Sequence, residues 1–209
     1  MIFFIIYPII SFFIAAIPTG IIIGKIRKID IRNVGSKNIG ATNVTRALGP
    51  VYGLVTLIID SSKAFIPLFL FKPILLYFKL ESSAFSLDFW ISIIALFIIC
   101  GNTFNPFTGF SGGKGVATGL GVMLFLNPAG VFISFCVFII VVLISKFISL
   151  GSIVSVFVII ITSFFFVKSY YMIISIILIG TIILIRHKDN IKRLLNSTEN
   201  KFSFKRKNK

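Results

Sequence analysis

The residues that build metal centres and disulfide frameworks are almost absent from this sequence. Its 209 residues include two cysteines and one histidine, too few for a disulfide scaffold or for a zinc or iron–sulfur cluster made from Cys and His alone. Charge is scarce too, because only 13% of the residues are Asp, Glu, Lys or Arg, against about 25% in soluble domains. We therefore expect no metal ion, and a small soluble globular protein is excluded.

Apolar residues dominate what is present. They make up 57% of the chain, 25 residues are phenylalanine, and the mean hydropathy is +1.06. No globular core of this size could bury so many apolar side chains, so the chain is predicted to be an all-α integral membrane protein. The formal net charge of +15 could indicate a nucleic-acid partner. Because the basic residues cluster in two short stretches between apolar runs, as the positive-inside rule describes, no nucleic acid is expected.

Uncharged apolar runs predict a polytopic protein with about seven transmembrane helices. The first run, 2–23, would be about 33 Å long as one helix, which is enough to cross a bilayer. Asn127-Pro128 divides a later run, because the residue before a proline is pushed away from helical geometry. The resulting short piece, 116–126, leaves a re-entrant segment open as an alternative. The remaining runs are 51–71, 85–101, 128–145, 148–167 and 170–185.

The distribution of basic residues predicts the orientation. Six Lys and Arg residues follow the first run and nine lie in the segment 186–209, and seven spans place both groups on the same side of the membrane. Because that side is expected to be cytoplasmic, the N-terminus should lie outside and the C-terminus inside. We expect one integral membrane domain, 1–209, that ends in the basic cytoplasmic tail 186–209.

Three polar segments on the predicted cytoplasmic face carry more Gly, Ser, Asn and Thr than a connecting loop needs. The first, 35–46 (GSKNIGATNVTR), could turn successive backbone N–H groups toward one point, as nests that bind phosphate do. It also offers a hydroxyl and a bidentate guanidinium. An ordinary capped turn before the second span remains open as an alternative. The candidate phosphate-binding residues of this segment are Gly35, Ser36, Asn38, Thr42 and Arg46.

The second polar segment, 109–118 (GFSGGKGVAT), is similar to a P-loop but does not satisfy the motif. Its outer glycines enclose three residues where a Walker A motif needs four, and Gly follows the lysine where the motif has Ser or Thr. What is left is a flexible turn of Gly112, Gly113 and Lys114 at a helix N-terminus, where an anion is favoured. A close-packed turn with an orienting lysine is the alternative.

The third polar segment, 186–201 (RHKDNIKRLLNSTENK), contains the one histidine of the chain. On a helix that continues from the last span, His187 and Asn190 would lie three residues apart on one face. The ordinary pKa of His187 suits proton transfer near neutrality, although an interfacial histidine can also be incidental. Together, the three segments predict a cytoplasmic site for a phosphate-bearing substrate, open sideways to lipid.

The three segments resemble the cytoplasmic motifs of the bacterial acyl-phosphate-dependent glycerol-3-phosphate acyltransferases, which are small seven-span membrane enzymes. The patterns GSxNIGATNVxR, GGKGVAT and HxxNIxRL carry the resemblance, and Ser149-Leu150-Gly151-Ser152 and the pair Asp60 and Lys63 also match. The resemblance implies transfer of an acyl group from acyl phosphate to glycerol 3-phosphate, giving lysophosphatidic acid and phosphate without a cofactor. This would be the first step of phospholipid synthesis, in the bacterial inner membrane.

The resemblance also implies roles for individual residues. His187, Ser36 and Lys114 would be catalytic, with either His187 or a phosphate oxygen of the substrates as the base. The implied partners are acyl phosphate, glycerol 3-phosphate and membrane lipids, and the sequence is compatible with a monomer. The residues implied to bind substrate or phosphate are Gly35, Asn38, Thr42, Arg46, Gly112, Gly113, Ser149, Ser152 and Asn190.

The sequence departs from the usual family pattern at three positions. Lys37 stands where Gly is usual, Asn102 where His is common, and Ser111 where Lys is frequent. The first of these puts a Cβ and an extra charge into a tight turn, and the second excludes an essential base at that position.

Two other functions were weighed against this one. Acyl-CoA-dependent acyltransferases have Asp five residues after the active-site His, whereas Lys192 occupies that position here, which excludes their chemistry. A membrane transporter for a small organic phosphate is the alternative. Transporters bind substrate near the bilayer midplane, often between repeats, while the polar motifs here lie at one face and no repeat is visible.

Overall fold

The computed structural model describes residues 2–80 and 85–201, so the end of the predicted tail, 202–209, lies outside the described residues. This part of the chain contains ten α-helices, two short 3-10 helices and no β-strand, which confirms the all-helical prediction. The 3-10 helices are Ile31–Asn33 and Pro106–Thr108. The α-helices are α1 (Ile2–Ala16), α2 (Thr19–Ile26), α3 (Ala41–Leu48), α4 (Pro50–Tyr77), α5 (Leu87–Thr103), α6 (Val116–Leu126), α7 (Pro128–Ser145), α8 (Ile148–Phe166), α9 (Tyr170–Arg186) and α10 (Lys188–Leu195).

Several helical segments are long and apolar enough to cross a membrane. α9 and α10 together would add one more, but the chain bends by 55° between them. α6 has 11 residues and is shorter than a span. Large apolar side chains are exposed on the outer surfaces, among them Phe132 at 71% and Phe165 at 78%, as expected for side chains that face lipid. The five segments of the described chain that qualify on their own are Ile2–Ile26, Pro50–Tyr77, Leu87–Thr108, Pro128–Ser145 and Ile148–Phe166.

The first apolar run forms two helices rather than one, although together they make the single candidate span Ile2–Ile26, which agrees with the predicted first span. α1 ends at Ala16 and α2 begins at Thr19, because Pro18 has no N–H and its ring disfavours a helical conformation at the preceding residue. At this break the Lys63 Nζ donates a hydrogen bond of 2.8 Å to the carbonyl oxygen of Ile17. The break therefore lies directly against α4.

Prolines act differently in two other helices. α4 continues through Pro67 and Pro73 to Tyr77, beyond its predicted span of 51–71. The predicted break at Asn127-Pro128 is confirmed: Asn127 has φ −149° and ψ 67°, and its Oδ1 accepts a hydrogen bond of 2.9 Å from the N–H of Gly130. This side chain caps α7, so the break is stabilised by the residue that precedes the proline.

Glycines let two pairs of helices approach closely. A Cβ at Gly101 of α5 would lie 2.1 Å from the carbonyl oxygen of Phe12 in α1, and a Cβ at Gly121 of α6 would lie 2.0 Å from that of Ser61 in α4. Small residues serve this purpose in membrane helix packing. Together with the Lys63 contact, this packing holds the α1–α2 break and α6 against α4.

Candidate active site

A cavity of about 400 Å³ lies where the first residues of five helices meet. The first N–H groups of an α-helix have no partner within the helix, and the helix dipole adds partial positive charge there. Several helix N-termini around one cavity therefore favour the binding of anions. The helix starts that line it are Thr19 of α2, Ala41 of α3, Pro50 of α4, Val116 of α6 and Ile148 of α8.

The turn that opens the first polar segment uses its own N–H groups. The N–H of Ser36 donates to Oδ1 of Asn43 at 2.9 Å, and that of Lys37 donates to the carbonyl oxygen of Val34 at 3.0 Å. Gly35 has a φ of +58°, and a Cβ there would lie 2.5 Å from Oδ1 of Asn43, so this glycine allows close packing. The N–H of Ser36 is therefore used inside the turn, while the predicted nest of Gly35, Ser36 and Asn38 stays a prediction.

The start of α3 also belongs to the first segment and lines the cavity. Gly40 precedes this helix, and its N–H donates to Oδ1 of Asn38 at 3.0 Å. Thr42 and Arg46 are four residues apart on α3, share one face, and both line the cavity. Burial lowers the pKa of Arg46, but a guanidinium stays protonated in proteins. This face therefore presents a hydroxyl and a permanent positive charge.

The second polar segment forms a tight turn against the end of α5. The N–H of Gly113 donates to the carbonyl oxygen of Asn102 at 3.1 Å, and a Cβ at Gly112 would lie 2.1 Å from that same oxygen. Lys114 lines the cavity, and its Nζ donates to Oδ1 of Asn190. Burial lowers the pKa of Lys114 to about 8, so its ammonium is charged at neutral pH and loses that charge in mildly alkaline solution.

His187 lies at the bend between α9 and α10, which corrects the prediction of one continuous helix. The side chain lines the cavity, is 2% exposed, and places Nδ1 2.8 Å from the carbonyl oxygen of Ile183. Because a carbonyl oxygen only accepts, Nδ1 carries the proton and Nε2 keeps its lone pair. Burial lowers the pKa of His187 to about 4, so the imidazole is neutral at physiological pH.

Glu199 is a cavity residue that sequence reasoning missed. Its carboxylate accepts hydrogen bonds from Oγ of Ser149 at 3.0 Å and Nδ2 of Asn190 at 2.9 Å, and pairs with Nε of Arg193 at 2.7 Å. Burial raises the pKa of the Glu199 carboxyl, but these three hydrogen bonds outweigh burial and leave it below its ordinary value. The chain after α10 therefore folds back onto the cavity. The one signal in the sequence that could have identified Glu199 was that it is an acidic residue in a basic tail.

A buried ion pair and two hydroxyls complete the wall. Lys63 and Asp60 pair at 2.8 Å, which confirms the predicted contact across one turn of α4. Within the described residues, Oγ1 of Thr19 and Oγ1 of Thr118 are buried without a hydrogen-bond partner. All four side chains line the cavity, so these two hydroxyls are available to a polar ligand.

The predicted site residues lie between positions 35 and 190 of the chain, and all but two of them line this cavity. Gly35 and Gly112 are not among the lining residues and instead allow close packing beside them. Lys37 is exposed and does not line the cavity either. Ten predicted residues do line it, namely Ser36, Asn38, Thr42, Arg46, Gly113, Lys114, Ser149, Ser152, His187 and Asn190.

An apolar groove of about 200 Å³ continues from the cavity between α4, α6, α7, α8 and α9. Along α6 it extends from Val116 to Met123, a depth of about 10 Å at about 1.5 Å per residue. A molecule with an anionic head and an alkyl chain could therefore occupy cavity and groove at once. The residues that line both are Leu57, Val116, Phe138 and Ser152.

Comparisons with known proteins agree with this geometry. The family model described as glycerol-3-phosphate acyltransferase matches residues 5–197. A glycerol-3-phosphate acyltransferase of Desulfotalea psychrophila is 42% identical over 194 residues, covering 93% of this chain and 95% of the relative. One of Fusobacterium nucleatum is 43% identical over 200 residues, covering 95% of this chain and 97% of the relative.

Solved structures show the same likeness. The crystal structure of PlsY (YgiH), an integral membrane glycerol 3-phosphate acyltransferase, in its glycerol 3-phosphate form has a TM-score of 0.85 and 34% identity, and the match covers 96% of both chains. Its lysophosphatidic acid form has a TM-score of 0.83 and 33% identity, with 96% of this chain and 95% of that chain covered. The chain, a multi-pass membrane protein, therefore belongs to the glycerol-3-phosphate acyltransferase family.

Proposed function

We propose that this acyltransferase takes its acyl group from acyl phosphate and transfers it to glycerol 3-phosphate. The products are 1-acyl-sn-glycerol 3-phosphate, which is lysophosphatidic acid, and inorganic phosphate, in the first step of phospholipid synthesis. The observation that carries the proposal is the continuity of an anion-binding cavity with an apolar groove, which suits a donor with a phosphate head and an alkyl chain. The PlsY structures with glycerol 3-phosphate and lysophosphatidic acid support the acceptor and the product.

The reaction needs no covalent enzyme intermediate. The acceptor hydroxyl oxygen attacks the acyl carbonyl carbon, the bond from that carbon to the phosphate oxygen breaks, and phosphate leaves with the electron pair. Negative charge grows on the carbonyl oxygen and the departing phosphate. The N–H groups at the start of α3, the hydroxyls of Ser36 and Thr42, and the Gly113 turn would stabilise it, with Asn38 holding the approach to α3.

The acceptor would bind through its own phosphate. Arg46 and Lys114 provide positive charge, and Asn190, Ser149 and Ser152 provide hydrogen-bonding groups on the same cavity wall. Binding the phosphate at one end places the hydroxyl at the other end near the acyl carbon, which lowers the entropic part of the barrier. Glu199 would hold Asn190 and Ser149 in place through its hydrogen bonds.

The proton of the attacking hydroxyl goes to a phosphate oxygen of a substrate rather than to His187. Burial lowers the pKa of His187 to about 4, whereas the second pKa of a phosphate monoester is about 6, so the phosphate is the stronger base. The Nε2 lone pair of His187 would orient the hydroxyl. His187→Ala should therefore lower kcat without abolishing turnover, and complete loss of turnover would instead make His187 the base.

The proposed topology has seven spans, with the N-terminus outside, the C-terminus in the cytoplasm and the active site on the cytoplasmic face of the inner membrane. α6 would be the shortest span, and the chain would be a single monomeric domain over 1–209. The support is the placement of basic residues, six after α1 and nine in 186–209. In a cysteine-free background, a membrane-impermeant thiol reagent should label Lys79→Cys in intact cells and Lys28→Cys after permeabilisation, and the reverse pattern would invert the topology.

The donor is tested directly with purified protein in detergent. Labelled glycerol 3-phosphate is supplied with acyl phosphate, acyl-CoA or acyl-carrier protein, one donor at a time. Labelled lysophosphatidic acid should form with acyl phosphate, and its absence would overturn the proposal. In vesicles supplied with no acyl donor, accumulation of labelled glycerol 3-phosphate inside would favour the transporter alternative. No feature of the described cavity supports that alternative.

A further inference from the structure

We propose that Arg186 is a positioning residue that holds the Gly112–Lys114 turn in its substrate-binding shape. The inference rests on the proposed function, in which this turn and Lys114 bind phosphate. Arg186 is the last residue of α9, one position before His187. Its Nη2 donates to the carbonyl oxygen of Gly112 at 2.9 Å, and its Nε donates to that of Gly113 at 3.3 Å.

Two contacts from one guanidinium fix two consecutive peptide groups. The guanidinium is planar and presents its donors in a rigid fork, so the two carbonyls cannot rotate independently. The Gly112–Gly113 peptide is held at both ends, because its oxygen contacts Arg186 and its N–H donates to the carbonyl oxygen of Asn102 at 3.1 Å. The orientation of this peptide is therefore fully determined by protein groups.

The next peptide, between Gly113 and Lys114, is held at its oxygen end alone. In a trans peptide the N–H points away from the C=O, so fixing the Gly113 carbonyl toward Arg186 turns the N–H of Lys114 to the opposite side. Within the described residues no protein group accepts from this N–H, and Lys114 lines the cavity. Arg186 thus holds an unpaired backbone donor on the side away from its own guanidinium, in a residue that lines the cavity.

The composition of the turn explains why an external contact is needed. Glycine has the largest conformational freedom of any residue, and this turn contains Gly112, Gly113 and Gly115, the last with φ +80°. Left to itself, such a turn would sample many conformations. Holding two of its carbonyls restricts it before substrate arrives, and preorganised donors of this kind stabilise transition-state charge without reorganisation.

A second side chain near the bend between α9 and α10 also contacts the Gly112–Lys114 turn. Oδ1 of Asn190, in the first turn of α10, accepts from Nζ of Lys114. On α9, Ile183 lies beside Gly115, where a Cβ would come within 3.3 Å of it. Arg186 therefore links the backbone of the turn to the bend that also carries His187.

A simpler explanation of Arg186 is that its positive charge only orients the protein in the membrane and that its side chain makes no structural contact. Lys188 provides the comparison, because it lies two residues further on and is exposed. In the described chain it makes no hydrogen bond or ion pair, whereas Arg186 makes two hydrogen bonds and is half-buried. Both residues are positively charged, but of the two only Arg186 contacts the turn, so Lys188→Ala is the matched control.

The experiment measures kcat and both KM values with acyl phosphate and glycerol 3-phosphate for Arg186→Ala, Arg186→Lys and Lys188→Ala. Arg186→Ala should lower kcat by about 100-fold, the scale expected for a misplaced catalytic group, with an unchanged apparent unfolding temperature in detergent. Added guanidinium should restore part of the Arg186→Ala activity. Arg186→Lys, which can reach one carbonyl, should lie between, and Lys188→Ala should match the wild type.

Wild-type kcat and KM values in Arg186→Ala would overturn the inference. It would also be overturned if Arg186→Ala lowered the apparent unfolding temperature and guanidinium gave no rescue, because the residue would then serve folding alone. A wild-type protein that forms no lysophosphatidic acid from acyl phosphate would contradict the proposed function instead. In that case the same variants, tested with whichever donor supports turnover, still decide the role of Arg186.

Discussion

The polar cavity and the apolar groove share four wall residues but are built from different parts of the helices. The cavity is lined by helix starts, turns and breaks, such as Pro18, Gly40 and Gly115, where backbone N–H groups lack helical partners. The groove is lined by the middles of helices, such as Met123 and Ile159, where the backbone is satisfied and the side chains are apolar. The cavity thus takes its backbone donors from interrupted helices, and the groove takes its apolar side chains mainly from continuous ones.

The largest effect expected on the polar side follows from Lys114→Ala. Removing a half-buried charge that lines the cavity and would face the departing or bound phosphate should lower kcat/KM by about 100- to 1,000-fold. Lys168→Ala removes an equal charge from an exposed position outside the cavity and should behave as the wild type. Activity of Lys114→Ala near the wild-type level would remove the lysine from the site and weaken the contrast between the two regions.

The pH profile should show the ionisation of the same residue. Burial lowers the pKa of Lys114 to about 8, so the ammonium is protonated below that pH and neutral above it. The kcat/KM for glycerol 3-phosphate should therefore fall as the pH rises through about 8, by up to tenfold per pH unit. In Lys114→Arg the charge persists, so the alkaline limb should move to higher pH. An unshifted limb in that variant would assign it to another group.

A substitution at the far end of the groove should change the preference for acyl chain length. Val131 lines the groove on α7, and Val131→Phe would fill space that the end of an alkyl chain occupies. Each methylene left unburied costs about 0.8 kcal/mol, so kcat/KM should fall roughly tenfold for long acyl phosphates and stay unchanged for short ones. Ile133→Phe, on the exposed side of the same helix, is the control. Equal loss for all chain lengths would argue against an acyl chain in this groove.

The smallest effect concerns a strained residue outside both regions. Lys37 has a φ of +59° and is exposed, and a left-handed conformation costs a residue with a Cβ about 1–2 kcal/mol. Lys37→Gly should therefore raise the apparent unfolding temperature in detergent slightly and leave turnover unchanged. Lys37→Ala removes the charge but keeps the Cβ, so it should give no such gain. A gain of equal size in both variants would point to charge rather than strain.

Local chemistry explains which parts of the fold could be predicted from the sequence. The Asn127-Pro128 break was predictable because the run around it is too long for one span and proline disfavours a helical residue before it. The break at Pro18 has the same chemical cause, yet the run 2–23 already fits one span, so length gave no warning. The bend at His187 contains no proline or glycine, so the sequence carries no local signal for it.

The residues of the candidate site also divide into those that could be predicted from the sequence and those that could not. Lys114 and Asn190 were predictable as polar residues on one membrane face, but their hydrogen bond joins positions 76 residues apart and depends on how the helices pack. Arg186 lies among orienting basic charges, so composition does not distinguish it, and Glu199 stands out only as an acidic residue in a basic tail. In the groove, Val131 and the exposed Ile133 are both ordinary apolar residues, and packing alone separates a substrate-facing position from a lipid-facing one.

The most direct test of the account follows all phosphorus species of one reaction by 31P nuclear magnetic resonance. Purified protein is mixed with acyl phosphate and glycerol 3-phosphate, and the four signals are followed over time. The proposed reaction predicts that both substrates disappear together and that lysophosphatidic acid and inorganic phosphate appear in equal amounts, with neither forming when one substrate is omitted. Release of phosphate without lysophosphatidic acid, or no consumption of acyl phosphate, would contradict it.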